Sequence, residues 1–564
     1  MNDASETITN DYLSQNYGSL APASKENESS RSAHHNEMPH LSSIAMSAIL
    51  SSSFSYGCIM TTLFILTLPI ECQRIEQESS EYYSYTIRKS IALGGFAAIA
   101  GLSQLVSPLI GLLSDNFEPR GKMRQLGTRL PYLILGTILV TFGMIGQLYS
   151  SSPIHKLAEV NESITRIDDY EVRISPKTAI LGGAWVQYSI FFVVASVGLN
   201  VAYTVMMAMI PDYVPRSQTG AANGTLALLL VLGSLFGFGM FHIVLDQSVL
   251  AMYKLYTIVT ATSGIVTYTY VCDREKTLKE SQQSSYVLKP ALEEEERVHK
   301  ENIDEGDATN KAQEDQSFPA IHDLGFILLY EPLLEKTQSE ILSAFWIDIS
   351  QHRDFFVVTI SRFFYYMGIS TQTFFLYFIH DELAHSQQSS NPEAAVALLA
   401  IIGQTAGAIT CYPVGIISDQ YFDSRRKPFV YLACICLGLG NLALVLCTDW
   451  AHMMMVVFLL GAANGIYLTM DTSLAVDTLD VDDDGSTGNS NIHAQLLGVW
   501  GVFGFLGSAF GPLLGGCVLT FVGRQDTSPD QFYSFEGYQC LFSLTAVYFL
   551  LSSVSLAFVK KKGV

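Results

Sequence analysis

Charged residues are scarce in this chain of 564 residues. Asp, Glu, Lys and Arg together make up 15% of it, whereas ordinary soluble proteins hold about 25%. A large soluble core would show short apolar runs broken by charges, but here apolar runs of membrane-spanning length recur along the chain. With 49% hydrophobic residues, the composition excludes a soluble body on a single anchor and indicates many membrane crossings.

Several chemical signatures are also missing. The nine cysteines form no CxxC pair or Cys/His cluster, so we expect neither a metal centre nor a disulfide framework. No nucleotide-binding loop, nucleophile elbow or zinc signature appears, so ATP-driven pumping and enzymatic catalysis have no support. We therefore expect no cofactor and no nucleic-acid partner. The acidic N-terminus has no basic region followed by a short apolar stretch, so we expect no cleaved targeting peptide.

Apolar runs long enough to cross a bilayer predict about twelve transmembrane helices, called spans 1 to 12 below. Spans 1 to 6 are expected at residues 41–70, 90–113, 130–150, 179–210, 219–245 and 250–272. Spans 7 to 12 are expected at residues 354–380, 394–417, 428–447, 450–477, 494–522 and 537–558. The predicted fold class is an all-α membrane protein made of two parallel six-helix repeats.

Two acidic, polar segments lie outside the predicted spans. The first 40 residues carry six acidic and two basic side chains, and residues 273–348 carry eighteen and eight. Segments of this kind cannot bury a core, so we expect both to be disordered. The expected organisation is a tail at 1–40, a helical bundle at 41–272, an acidic loop at 273–352, a second bundle at 353–559 and a basic tail at 560–564.

The distribution of Lys and Arg predicts that both termini are cytosolic. Short loops on the side of the termini, with the C-terminal tail, carry eleven Lys and Arg residues, and the opposite loops carry eight over a longer stretch. Basic loops stay preferentially in the cytosol. The glycosylation sequon at Asn161 lies in the loop between spans 3 and 4, which this topology places outside. The membrane is either the plasma membrane or an internal one.

An internal repeat links the two sets of spans. After span 2, Gly-Leu-Leu-Ser-Asp ends at Asp115, and basic residues and Pro131 follow it. After span 8, Gly-Ile-Ile-Ser-Asp ends at Asp419, and basic residues and Pro428 follow in the same order. The ends of spans 4 and 10 also share a pattern of Gly, Tyr and Asp. Matches in register at several places indicate two related halves.

These motifs resemble those of a known family. The Gly-x-x-Ser-Asp…Arg pattern after spans 2 and 8 is similar to the loop motif of the major facilitator superfamily. Within that family, residues 210–224 and 362–378 resemble the sucrose transporter and glycoside–pentoside–hexuronide:cation symporter branch. The chain departs from the family pattern where Thr128, Leu130 and Thr219 stand in place of commonly found Arg residues. The resemblance implies the major facilitator fold and a sugar or glycoside as solute.

The resemblance also implies a conformational latch at the cytosolic ends of the spans. Carboxylates and guanidinium groups there would hold the cytosolic faces of the two halves together in the outward-open state through charge-assisted hydrogen bonds. Alternatively, these charges only set the topology. The latch residues are Asp115, Arg129, Asp212, Asp419, Arg425 and Arg426.

Polar side chains within the spans predict a pathway for substrate or protons. Arg362 in span 7 and Asp471 in span 10 are expected at similar depth, where pairing would offset the cost of removing each charge from water. Tyr366 and Thr373 lie on the helical face of Arg362, and Asn464 lies on that of Asp471. A cavity wall and a purely structural ion pair both fit this pattern.

Four further residues are candidates for the same pathway. His242 and Asp246, one turn apart in span 5, could form a proton-sensitive pair, although a histidine satisfied at a helix interface is the simpler interpretation. Gln187 and Gln404, in spans 4 and 8, could hydrogen-bond to the hydroxyl groups of a sugar. Amide side chains also hold transmembrane helices together, so both interpretations of the two glutamines stay open.

Together these features predict a secondary active transporter for a small polar solute. A sugar or glycoside is the favoured solute, moved by alternating access and coupled to protons. One alternative is a carrier of the same fold for a lipid, an amino acid or an organic ion. Another is a membrane sensor without transport activity. The expected partners are membrane lipid, the solute and protons.

Overall fold

Nearly all of the chain that the structure describes is helical. The computed structural model describes residues 38–82, 86–115, 117, 126–151, 184–215, 218–297, 347, 349, 351–383, 391–422, 425–447, 449–478, 490–524 and 532–560. In these residues the extended structure consists of one isolated bridge between Arg524 and Tyr533. The predicted all-α fold class is confirmed.

The helices of the first half follow the predicted order. A short helix, Ser43–Ile49, precedes span 1, which is built of Ser52–Thr62, a π-helical turn at Leu63–Thr67, and Leu68–Tyr82. Span 2 consists of Lys89–Ser103 and Val106–Asp115. The remaining spans are Leu130–Ser151, Ala184–Tyr213, Thr219–Gly239 with a π-helical end at Met240–Val244, and Val249–Arg297.

The second half repeats this arrangement. Span 7 is Arg353–Ser370, continued by a 3-10 turn at Thr371–Phe374, a helical turn at Phe375–Phe378 and a π-helical turn at Ile379–Leu383. Spans 8 to 12 are Pro392–Tyr421, Lys427–Val445, Trp450–Thr478, Ser490–Phe521 and Phe535–Leu556.

The helices are built for an apolar surrounding. Within the described residues, eleven helices are long and apolar enough to cross a membrane. Span 7 is the remaining segment of the predicted twelve, and it carries Arg353, Asp354 and Arg362 near its start. Large apolar side chains point away from the bundle, such as Phe142, which is 57% exposed, and Leu550, which is 61% exposed. Lipid, rather than water, is the solvent in which such a surface is stable.

The two halves meet along two pairs of spans. Span 2 packs against span 11, and span 5 packs against span 8. At the contact of spans 2 and 11, a Cβ atom built on Gly94 would lie 2.7 Å from the carbonyl oxygen of Pro512. A glycine is therefore required for this approach of the two backbones.

The bundle has two ends. The 1–2 end holds the loop between spans 1 and 2, and the 2–3 end is the opposite one.

Span 1 extends beyond its predicted end at residue 70. Hydropathy predicts an end there because several charges follow, but the helix continues to Tyr82. These charges pair with each other inside the protein: Arg74 Nε lies 2.7 Å from Glu71 Oε2, and Arg74 Nη1 lies 3.4 Å from Glu78 Oε2. Pairing offsets the cost of burying the charges, so the helix tolerates them.

Span 6 also extends beyond its predicted end, to Arg297. This part of the chain was expected to belong to a disordered loop because it is acidic and polar. It is rich in Glu, Lys and Leu, which favour helix, and its base is held by hydrogen bonds. Arg274 Nη2 donates to the carbonyl oxygen of Pro39 at 2.6 Å, and the Tyr213 hydroxyl donates to Glu275 at 2.8 Å.

Candidate functional site

At the 2–3 end of the first half, three side chains join spans 2, 3 and 4. Arg129, just before span 3, donates from Nε to Asp212 Oδ2 at 2.6 Å and from Nη1 to Ser114 Oγ at 2.6 Å. Ser114 belongs to the repeated motif at the end of span 2, and Asp212 ends span 4. The guanidinium group therefore ties together the ends of three helices.

The second half contains the same three chemical groups at the matching positions. Arg426, just before span 9, donates from Nη1 to Ser418 Oγ at 2.7 Å, and its Nε lies 3.5 Å from Asp477 Oδ2. Ser418 is the motif serine after span 8, and Asp477 lies near the end of span 10. The repeat in the sequence thus appears as a repeated Ser–Arg–Asp group in the structure.

Some of the six predicted latch residues belong to these two groups, and others do not. Arg129, Asp212 and Arg426 belong to them, and Arg425 is exposed. Asp115 and Asp419 lie on described helices, but their side chains lie outside the described residues. The two ion pairs of these groups lie within each half, and Asp477, which the predicted latch did not include, is the counterpart of Asp212.

A buried ion pair lies between spans 7 and 10. The Arg362 guanidinium group donates from Nη1 directly to Asp471 Oδ2, and the two residues are 9% and 3% exposed. Arg362 Nη2 also donates to the Tyr366 hydroxyl at 3.3 Å. The structure therefore brings together the two charges that the sequence placed at similar depth, with the tyrosine one turn along span 7.

Aromatic rings surround the guanidinium group of Arg362. Its central carbon lies 3.5 Å from the ring centre of Trp500 in span 11 and 4.6 Å from that of Tyr366. From the first half, Tyr56 and Tyr203 stack with their ring centres 4.4 Å apart. Tyr203 is close enough to Arg362 and Tyr366 to interact with them electrostatically, so both halves contribute to this cluster.

Two donors in the cluster have no hydrogen-bond partner among the described residues. They are Arg362 Nε and Trp500 Nε1, and both atoms are buried. A buried donor without an acceptor costs about 1–3 kcal/mol. An oxygen atom of a bound solute would remove this cost at either nitrogen. The cluster therefore has the chemistry to bind a ligand rich in hydrogen-bond acceptors.

A cavity of about 80 Å³ lies near the cluster, lined mostly by spans 7 to 10 of the second half and by Ile65 of span 1. Four amide side chains line it, and most of the remaining wall is apolar. Asn464 connects the cavity to span 7, because its Oδ1 accepts a hydrogen bond from the Tyr365 hydroxyl. Amides provide both donors and acceptors, which suits hydroxyl groups. The four amides are Gln372, Gln404, Asn441 and Asn464.

The other predicted pathway residues lie apart from the cluster or are engaged locally. Thr373 is buried in the 3-10 turn, and its hydroxyl donates to the Ser370 carbonyl at 3.0 Å. Gln187 is exposed on the surface of span 4. At the 1–2 end, His242 is half-buried and Asp246 is exposed, and in the described chain no hydrogen bond joins them.

Neither metal ligands nor disulfides contribute to the site. Across the part of the chain that the structure describes, no group of three or more His, Cys, Asp and Glu side chains is placed to hold a metal ion. All nine cysteines are free thiols. The described side chains of the site offer ion pairing, aromatic stacking and hydrogen bonding.

Comparisons with known proteins agree with this architecture. The profile of the Major Facilitator Superfamily matches residues 177–488, and no curated protein sequence matches the chain. The fold resembles the xylose transporter XylE from E. coli in a partially occluded inward-open conformation, at 13% identity and a TM-score of 0.51, covering 92% of this chain and 99% of that one.

Two further solved structures share the fold. A variant of the nucleoside transporter NupG aligns at 12% identity with a TM-score of 0.52, covering 92% of this chain and 99% of that chain. A D-xylose-proton symporter aligns at 13% identity with a TM-score of 0.53, covering 90% of this chain and 95% of that chain. At these identities the likeness concerns the fold.

Proposed function

Because the chain belongs to the major facilitator superfamily, we propose that it is a secondary active transporter for a small polar solute. We favour a sugar or glycoside, moved by alternating access and coupled to protons. The observation that carries the proposal is the polar site of the second half, where an amide-lined cavity is connected through Asn464 and Tyr365 to a buried ion pair. Polar groups buried within membrane spans usually serve transport or pairing.

The solute class is inferred from the chemistry of the site. Four amides line the cavity, and the two unpartnered donors, Arg362 Nε and Trp500 Nε1, lie in the adjoining cluster. A sugar offers several hydroxyl oxygens that accept hydrogen bonds from such donors, and its hydroxyl hydrogens can be donated to amide oxygens. Its ring also stacks on aromatic faces such as those of Tyr56 and Tyr203. We therefore place the solute between the aromatic cluster and the cavity.

Proton coupling is assigned to Asp471. Its carboxylate is buried next to Arg362. An aspartate whose access to water and to a cation changes during the transport cycle can bind a proton in one state and release it in another. We propose that Arg362 holds Asp471 charged in the state described here, and that the proton binds when this pair loosens.

The latch is proposed at the 2–3 end. The two Ser–Arg–Asp groups fix the ends of spans 2 to 4 and of spans 8 to 10. We propose that these groups keep each half rigid there, and that Asp115 and Asp419 act between the halves when that end closes. The 2–3 end would then be cytosolic, as the distribution of basic residues indicates.

Uptake into proteoliposomes tests the proposed function. Purified protein would be offered labelled sugars, glycosides, a nucleoside, an amino acid and an organic cation, with and without an inward proton gradient. We expect uphill accumulation of a sugar or glycoside only with the gradient. Accumulation of another solute would identify a different carrier, and no uptake of any solute under either condition would favour a membrane sensor.

The amide-lined cavity gives a more specific expectation. Gln404→Leu should raise the KM for the solute by about tenfold, because one lost hydrogen bond to a buried polar group is worth about 1.4 kcal/mol. The matched control is Gln539→Leu, since Gln539 is exposed on span 12. Initial uptake rates over a range of solute concentrations measure both. Equal KM values for the two variants would place the solute elsewhere.

The proposed topology can be checked by labelling introduced cysteines with a membrane-impermeant maleimide. Ser163→Cys, next to Asn161 in the loop between spans 3 and 4, should react in intact cells. Ser339→Cys, in the loop between the halves, should react only after the membrane is permeabilised, because we place this loop in the cytosol. The unmodified protein gives the background from native cysteines. Labelling of Ser339→Cys in intact cells would reverse the assignment.

A further inference from the structure

A second buried ion pair joins the two halves at the 1–2 end. Lys89, the first residue of span 2, is 4% exposed, and Asp381, in the π-helical end of span 7, is 2% exposed. Lys89 Nζ lies 3.9 Å from Asp381 Oδ1. Both residues lie one position outside the spans predicted from hydropathy. The pair connects the first half of the protein to the second.

The carboxylate of Asp381 is held in place by its own half. Its Oδ2 accepts hydrogen bonds from the main-chain N–H of Tyr533 at 3.0 Å and from the Tyr538 hydroxyl at 2.6 Å. His380 Nδ1 lies 2.9 Å from Oδ1. The negative charge is therefore fixed in position, and it stays with the second half when the halves move apart.

The ammonium group of Lys89 sits among aromatic rings of the opposite half. It lies 5.0 Å from the ring centre of Tyr377 and 5.1 Å from that of Tyr533. A cation over a desolvated aromatic ring is attracted to the negative face of the ring. Lys89 thus enters a socket made of one carboxylate and two rings from the second half, and the buried Glu76 of span 1 is close enough to interact with it electrostatically.

Neutral hydrogen bonds continue the seam on both sides of the ion pair. The Tyr533 hydroxyl donates to Ser90 Oγ at 2.9 Å, and Ser90 Oγ lies 2.7 Å from Thr520 Oγ1. The Tyr377 hydroxyl donates to the carbonyl oxygen of Pro69 in span 1 at 3.0 Å. Spans 1 and 2 are thereby sealed against spans 7 and 11 at the 1–2 end.

From this arrangement we infer that Lys89 and Asp381 form the gate that closes the 1–2 end of the protein. In the closed state each charge is buried, and its attraction to the other charge offsets the cost of removing it from water. In the open state both charges are hydrated again. Desolvation and attraction nearly cancel for such pairs, so the intact gate can open, but a single remaining charge is costly to bury. The inference rests on the proposed alternating access, for which these two are positioning residues.

A native thiol reports whether the gate is closed. Cys72 in span 1 is fully buried and lies beside Tyr377 of span 7, so it is covered by the seam. Alkylation of Cys72 in the purified full-length protein, followed by mass spectrometry, measures opening without any solute. Cys540, exposed in span 12 near the same end, is the internal reference, and Cys72→Ser verifies the assigned peptide.

The test compares Lys89→Met, Asp381→Asn and the double variant. Lys89→Met leaves the buried Asp381 carboxylate without this cation, and Asp381→Asn leaves Lys89 without the carboxylate of the opposite half, so we expect alkylation of Cys72 to become faster by roughly tenfold or more. The double variant removes both charges and should return toward the rate of the unmodified protein. The matched control is Lys254→Met, which removes an exposed lysine of span 6 near the same end, and it should leave the rate unchanged.

Gel filtration shows whether each single variant folds. If one does not, two conservative variants still test the inference. Lys89→Arg and Asp381→Glu keep the charges and should give rates close to the unmodified protein. Unchanged alkylation in the single variants, or a double variant that adds the two single effects, would overturn the gate. No solute enters this assay, so it tests the gate separately from transport. Faster alkylation of Cys72 in the single variants, together with no transport of any solute, would refute the proposed function but not the gate.

Discussion

Asp471→Asn should abolish uphill accumulation of the solute while downhill exchange persists. Asparagine keeps the shape of the side chain and a hydrogen-bonding oxygen next to Arg362, but it cannot bind the coupling proton. We expect exchange to stay within about tenfold of the unmodified rate, since the weakening of one buried bond by about 1.4 kcal/mol has that effect. Accumulation under a proton gradient and exchange at equilibrium, measured on the same vesicles, separate the two properties.

The control for this prediction is Asp449→Asn. Asp449 lies at the 1–2 end, and its side chain is 63% exposed, so the variant should accumulate solute normally. If Asp471→Asn also drives accumulation, the Arg362–Asp471 pair is structural. Coupling would then be sought at His242 and Asp246, which the structure places away from the aromatic cluster.

Arg362→Ala alone should be more harmful than the double variant Arg362→Ala/Asp471→Asn. The single change leaves the Asp471 carboxylate buried without its cation, and breaking a buried pair in this way costs about 3–5 kcal/mol. The double variant carries no buried charge at this place, so we expect it to regain most of the lost stability. The midpoint of thermal unfolding in detergent, followed by gel filtration, measures the difference.

Solute binding distinguishes the roles of the two partners. Both variants lose the guanidinium donors and the cation over Trp500, so neither should bind the solute with the affinity of the unmodified protein. Recovery of stability without recovery of binding would support Arg362 as a binding group. A double variant as unstable as the single one would show that the two charges do not depend on each other.

The fold could be predicted from the sequence because lipid imposes a simple rule on it. Each span must be apolar over its length, so most of the helices begin and end within a few residues of their predicted positions. The exceptions are spans 1 and 6, where charges follow the apolar run. Hydropathy treats a charge as the end of a span, but Arg74 is paired with Glu71 inside the protein, and Arg274 is bound by main-chain oxygens.

The central site could be predicted only in part. Arg362 and Asp471 are visible in the sequence because charges within apolar runs are rare. Trp500 and Tyr203 are ordinary aromatic residues of apolar runs, and the sequence does not specify how a helix is rotated toward its neighbours. The gate could not be predicted for the same reason. Lys89 and Asp381 lie just outside the predicted spans, and the packing of span 2 against span 11 brings them together. Asp477 could have been assigned to the latch from the internal repeat alone.

The continuous helix of span 6 has a mechanical consequence. Its base is fixed to the first half by Arg274 and Glu275, and the part from Lys279 to Lys289, which ends before Pro290, is about 15 Å long at 1.5 Å per residue. Such a rod acts as a lever, so a small tilt of the first half becomes a larger sweep at its tip. A fluorophore attached there would follow the transport cycle from a distance, and a protein that grips the tip would resist that cycle without touching the solute.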